Sequence, residues 1–162
     1  MSNERQIRLN INGKIETVTV PAHRTLLEAL RGAGHVDVKC GCEKGDCGAC
    51  AVLIDGVAVD SCLTLAWTAQ DKEITTVAGL GTREAPHPLQ QAFMDSGAIQ
   101  CGYCTPGMII AAKSLLDRNP SPSEDEIRVA LSGNLCRCTG YVKIFEAILQ
   151  AAETLRQERA GT

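Results

Sequence analysis

Nine cysteines in 162 residues, eight of them in tight groups, constrain this chain more than any other feature. Cys42, Cys47 and Cys50 form C-x4-C-x2-C, and eleven residues separate Cys50 from Cys62. That is the plant-type [2Fe-2S] spacing with its distant fourth ligand. The glycines fit the same chemistry. Four thiolates and two sulfides around two ferric ions leave a charge of about −2, so the loop must turn backbone N–H groups toward sulfur. Gly41, Gly45 and Gly48 are the residues that permit such turns. Structural zinc is the main alternative, but this spacing within one short loop is poor for a zinc ribbon. A secreted disulfide framework is disfavoured by the odd count, by the closeness of Cys136 and Cys138, and by a start, Met1 to Arg5, that leads into no apolar h-region. Cys40 is left over and reads as a small buried hydrophobe.

Cys101-Gly102-Tyr103-Cys104 precedes a helix led by Pro106, and Cys136-Arg137-Cys138 precedes the last helix. Helix N-termini favour an anionic group and keep thiolates ionised. A thioredoxin-like role for C-x2-C would need a βαβ surround, and none is visible. By spacing alone, this four-thiolate set suits zinc or [4Fe-4S] as well as [2Fe-2S].

The remainder of the sequence divides near residue 80. Residues 6–20 alternate around Asn12-Gly13 and predict a β-hairpin with a type I′ turn. Residues 25–31 predict a short helix with Thr25 as N-cap. Residues 51–54 and 57–59 flank Asp55-Gly56 as a second hairpin, and 73–77 reads as a last strand. Gly79, Gly81, Pro86 and Pro88 mark a connector. Beyond it, helical patterns cover residues 89–93, 106–116 and 142–156, and Ser121-Pro122-Ser123-Glu124 reads as a capping box with proline at N1, opening a further helix. Four such helices predict a compact bundle. The expected division is residues 1–78, a linker at 79–88, and residues 89–162. No apolar run approaches the ~20 residues of a membrane span. A formal charge of −3 with no basic block gives no footprint for nucleic acid. A soluble, cytoplasmic chain is expected.

The segments Gln100-Cys101-Gly102-Tyr103-Cys104-Thr105-Pro106-Gly107 and Gly133-Asn134-Leu135-Cys136-Arg137-Cys138-Thr139-Gly140-Tyr141 resemble the signature of the iron-sulfur subunits of the xanthine dehydrogenase, or molybdenum hydroxylase, family. The likeness extends to Gly41-Cys42 and Gly45-Asp46-Cys47-Gly48-Ala49-Cys50, and over nearly the whole chain. It implies an α+β protein: a plant-ferredoxin-like β-grasp domain followed by an all-α four-helix-bundle domain, each with one [2Fe-2S] cluster. Carried over, Cys42, Cys47, Cys50 and Cys62 hold the distal cluster, and Cys101, Cys104, Cys136 and Cys138 the proximal one. Gln100 and Cys138 match positions that contact the pterin of a molybdopterin cofactor on a large partner subunit. Electrons in such enzymes pass from molybdenum to the proximal cluster, the distal cluster, and then FAD on a medium subunit or an external acceptor. Cys40 departs from the family pattern and makes a ligand swap conceivable.

His23, His35 and His87 lack the Cys-x-His pairing of a Rieske centre and read as surface or satisfied polar groups. Trp67, Tyr103 and Tyr141 read as packing near the clusters. Glu124, Asp125 and Glu126 read as charge favoured in a first helical turn. With no Rossmann fingerprint or P-loop, the chain is expected to relay electrons without turning over substrate. Rival functions are a free-standing two-cluster ferredoxin and a zinc-stapled interaction module. Within the family, purine, nicotinate, aldehyde, carbon monoxide and aromatic thioester enzymes have iron-sulfur subunits that look alike.

Overall fold

Alternating apolar residues produce the first hairpin, in which Ile7, Leu9 and Ile11 of β1 (Glu4–Ile11) are all buried. The computed structural model describes residues 4–161; residues 1–3, part of the start that reads as leading into no apolar h-region, and Thr162 lie outside the described residues. Asn12 and Gly13 both have positive φ, as a type I′ turn requires, and lead into β2 (Lys14–Pro21). Ile15 lies on the opposite face from Val18 and Val20 and is exposed, so the alternation is imperfect there. α1 (Leu26–Gly32) begins at Thr25, whose hydroxyl accepts from the Glu28 N–H while the Glu28 carboxylate accepts from the Thr25 N–H. Its Leu26, Leu27 and Leu30 pack on β1.

β3 (Ala51–Ile54) and β4 (Val57–Asp60) form the second hairpin around Asp55-Gly56. β5 (Glu73–Thr75) is shorter than the predicted strand, because Val77–Gly79 turns into a 3-10 helix. The five strands run in the order β2-β1-β5-β3-β4; only the β1–β5 pair is parallel.

The second half is helical: α2 (Pro88–Asp95), α3 (Thr105–Arg118), α4 (Glu124–Ala130) and α5 (Val142–Ala160). Leu89, Phe93, Met108, Ile127, Ile144 and Ile148 meet in their common core. α4 corrects the expected cap: its N-cap is Ser123, paired with Glu126, two residues later than the Ser121–Glu124 box. Pro122 therefore lies before the helix. The acidic first turn is as expected, with Glu126 serving as the capping partner.

The halves pack directly against each other. Ile110 of α3 is buried against Ala51 and Leu53 of β3, and Ser114 bonds the β3–β4 turn, accepting from Ala58 N–H and donating to Gly56 C=O. Where α3 crosses the loop before β3, a Cβ on Gly107 would lie 2.1 Å from the Gly48 carbonyl oxygen. Only glycine allows that approach.

Candidate metal centres

The first cysteine loop wraps back toward its own sulfur. Lys44 and Asp46 N–H groups donate to the Cys42 Sγ at 3.4 and 3.3 Å, with Gly45 at positive φ between them. Those two amides lower the Cys42 thiol to about 7. Cys47, beside it, is pushed up, first by burial, although the Ala49 amide opposes the shift. Cys50 and Cys62 form the second pair and are buried. Burial, then the neighbouring Cys62 sulfur and Asp60 carboxylate, push Cys50 up to about 12. Cys50 Sγ lies 3.6 Å from Asp60 Oδ1. Of the expected loop glycines, Gly45 and Gly48 have positive φ; Gly41 does not, and is small because a Cβ would meet Cys47 Sγ at 2.7 Å.

Cys40 is half-buried and turned elsewhere: its thiol donates to Glu43 at 3.0 Å, which raises it. The expectation of a buried apolar thiol is therefore only partly right.

The second set is assembled from two loops. Cys104 is the N-cap of α3, as expected for a thiol at a helix start. Burial, followed by the adjoining Cys136 and Cys101 sulfurs, pushes it up to about 12. Burial also pushes Cys136 up, but the Thr139 hydroxyl at 3.1 Å and amide at 3.5 Å outweigh it, and the net shift is downward. Cys136 and Cys138 do not sit at the first turn of α5. Gly140 and Tyr141, both at positive φ, intervene before Val142. Cys101 and Cys138 are exposed, with their sulfurs 3.6 Å apart, and Gln100 beside them is exposed too.

The sulfurs thus associate two by two: Cys42 with Cys47, Cys50 with Cys62, Cys104 with Cys136, and Cys101 with Cys138. Two thiolates on one tetrahedral metal, at bonds of about 2.3 Å, stand about 3.8 Å apart. Pairs of sulfurs fit a dinuclear centre, whose two irons each take two thiolates. The buried Cys50 thiol and the half-buried Cys104 thiol ionise when a metal supplies the compensating charge. The donor set fits [2Fe-2S].

Residues 9–77 match the 2Fe-2S iron-sulfur cluster binding domain, and residues 76–149 match the [2Fe-2S] binding domain. The nicotinate dehydrogenase small FeS subunit of Eubacterium barkeri is 49% identical over 93% of this chain and 97% of its own length. The chain belongs to the iron-sulfur subunits of the xanthine dehydrogenase, or molybdenum hydroxylase, family. The nicotine 6-hydroxylase small subunit of Paenarthrobacter nicotinovorans is also 49% identical, over 93% of this chain and 91% of its own. Among solved structures, a chain of quinoline 2-oxidoreductase from Pseudomonas putida 86 superposes with a TM-score of 0.91 at 46% identity, covering 96% of this chain and 98% of that one. Family members at 40 to 45% identity include an aldehyde oxidoreductase and a xanthine dehydrogenase iron-sulfur-binding subunit.

Sequence reasoning missed the polar residues that hold the loops. The Tyr103 hydroxyl donates to the Cys40 carbonyl. The Tyr141 hydroxyl accepts from Cys136 N–H at 2.8 Å and donates to the Asn134 carbonyl at 3.2 Å. Tyr141 packs as expected, stacked on Phe145 at the edge of the helical core, and adds these hydrogen bonds, whereas Tyr103 and Trp67 are substantially exposed. The histidines are satisfied or exposed as expected: His35 bonds Glu16, His87 caps α2, and His23 is exposed.

Proposed function

We propose that this chain is the electron-relaying subunit of a molybdenum hydroxylase, with Cys42, Cys47, Cys50 and Cys62 holding a distal cluster and Cys101, Cys104, Cys136 and Cys138 a proximal one. The observation that carries this reading is the two-by-two association of eight sulfurs, with main-chain amides aimed at Cys42 and Cys136. Each cluster supplies one-electron redox capacity when bound. The protein's own contribution is to orient the thiolates, offset the negative charge with N–H dipoles, and screen Cys50, Cys62 and Cys104 from water.

The sheet with α1 is then a β-grasp domain, residues 1–78; residues 79–88 are the connector, and α2–α5 are a four-helix bundle domain, residues 89–162. The meeting of the two family matches at residues 76–77 supports that boundary. Gln100 and Cys138 form an exposed patch with Cys101 and face the pterin of a molybdopterin-binding large subunit. A medium subunit carrying FAD accepts the electrons at the distal end. Such a complex works in the cytoplasm. Relatives named for nicotinate, nicotine and quinoline favour an N-heteroaromatic substrate for the assembled enzyme.

The test is metal analysis and EPR of the chain purified with its large subunit. About four irons and four acid-labile sulfides, with two distinct reduced signals, are expected. Cys62→Ser should lose or convert one signal, since a hydroxyl replaces thiolate poorly, while Cys40→Ser keeps both. Stoichiometric zinc, or equal iron loss in both variants, overturns the assignment.

A further inference from the structure

The two cysteine sets belong to different halves of the chain, yet their loops meet through hydrogen bonds. Leu135, the residue before Cys136, donates its main-chain N–H to the Cys47 carbonyl at 3.0 Å. Immediately beside it, Asn134 Nδ2 donates to the Gly48 carbonyl at 3.2 Å. Asn134 is only 7% exposed. Its own N–H donates to the Leu131 carbonyl at 2.9 Å, and its carbonyl accepts from Tyr141, whose oxygen also accepts from Cys136 N–H.

A buried amide side chain is costly to leave unpaired, so the Asn134 Nδ2 bond to the Gly48 carbonyl favours this loop geometry. The surrounding space is closed as well. A Cβ on Gly48 would lie 2.3 Å from Asn134 Nδ2 and 2.6 Å from the Gly133 carbonyl oxygen, and Gly107 presses on Gly48 from the other side.

We propose that Asn134 is the positioning residue for electron transfer between the two clusters, holding Leu135 N–H against the Cys47 carbonyl so that one hydrogen bond links the sulfur of Cys47 to that of Cys136. This rests on the reading of those two cysteines as ligands. From the Cys47 sulfur the path runs through its Cβ, Cα and carbonyl to the hydrogen bond, then through the Leu135 and Cys136 backbone to the second sulfur. The Tyr103 hydroxyl gives a second link, to the Cys40 carbonyl, but that route crosses a phenol ring and the whole of Gly41 before it reaches Cys42. Electronic coupling falls with the number of bonds crossed, so the shorter path dominates. One electron moves, oxidising one centre as it reduces the other, and no proton is transferred.

The experiment compares Asn134→Ala with a control, Ser132→Ala, in the complete complex with iron and sulfide measured first. Ser132 lies on the same loop and bonds the Val129 carbonyl, away from the bridge. Two readings are taken: spin–spin splitting in the EPR spectrum of the fully reduced protein, and the rate at which a single electron redistributes between the clusters after pulsed reduction. The wild type and Ser132→Ala should show the splitting and fast redistribution. Asn134→Ala, at full iron occupancy, should lose the splitting and slow the redistribution. Unchanged splitting and rate would overturn the proposal. Should Asn134→Ala lose iron, amide hydrogen exchange in the wild-type complex decides: the Leu135 N–H should be strongly protected although the residue is 55% exposed. Exchange at the rate of an open loop overturns the bridge. Failure of the ligand reading is seen separately, as zinc or a single EPR signal in the wild type.

Discussion

Asp60 offers a direct measure of how the distal site is tuned. Its carboxylate oxygen lies 3.6 Å from the Cys50 sulfur, at the end of β4 and half-buried. With a metal–thiolate bond of about 2.3 Å, the nearer iron would sit at most about 6 Å from that charge. A unit charge at about 6 Å is worth ~2.8 kcal/mol at an effective dielectric of ~20, and ~0.7 kcal/mol at the ~80 of water. For a one-electron couple these limits correspond to ~120 and ~30 mV. The carboxylate disfavours an arriving electron, so Asp60→Asn should raise the midpoint potential of the distal cluster by an amount between them. Asp60→Ala should move it the same way without adding an amide donor. Redox titration followed by EPR resolves the two clusters, and the shift should shrink as salt rises. An unchanged or lowered potential, or a shift confined to the proximal signal, would refute the reasoning.

Gly107→Ala must push a methyl into the Gly48 carbonyl, so it should destabilise the protein by ~1–3 kcal/mol despite the better helix former; a wild-type denaturation midpoint would contradict the close approach. His87 caps α2 through Nδ1, and burial, with Lys113 adding to it, lowers its protonation below the ordinary histidine range. Above about pH 6.5 both folded and unfolded forms are neutral; as pH falls through that value the unfolded chain takes the proton first, so stability should decline. His87→Asn, which caps without titrating, should flatten that part of a stability–pH curve; an identical slope would remove His87 as its source. In the free subunit, trypsin should cut first at Arg83, within the exposed residues 82–85, because Gln90 bonding the Val77 carbonyl and Asn12 bonding Thr76 pin the segment before them. First cleavage inside α2–α5 would contradict this.

The sequence was most legible where one local rule acts alone. Asn12-Gly13 and Asp55-Gly56 announce their turns because both residues of each pair must take positive φ. Thr25 and Glu28 announce α1 through reciprocal capping. Legibility failed where two local rules compete. Ser121 and Ser123 each stand three residues before an acid, and Asn119 settles the choice by donating to Glu126 at 3.0 Å. The cysteine spacings make the metal chemistry visible, but the braces around them depend on contacts between distant segments. Asn134 meets Gly48 across 86 residues, and Tyr103 meets Cys40 across 63. No periodicity encodes such pairs.

The two sets of sulfurs also differ in how they meet the surroundings, and on the proposed ligand reading that difference gives the relay a direction. Cys101 and Cys138 are exposed beside Gln100, whereas Cys50 and Cys62 are buried behind their loop. An exposed thiolate pair leaves its centre open to an approaching redox partner. A buried pair keeps water off a centre that must hold its charge until an acceptor docks. A free carrier needs only one accessible centre, so on the proposed reading a second one, linked to the first by Leu135 N–H on the Cys47 carbonyl, suits a chain that works inside a complex. The bridge is built from both halves of the chain, with Gly48 contributed by the cysteine loop before β3, Gly107 by α3 and Asn134 by the loop before α5. Any motion that separated the halves would break the electronic path before it unfolded either core. Glycine, a residue that weakens helices, stands in the first turn of α3 because a Cβ there would run into the Gly48 carbonyl and hold the halves apart.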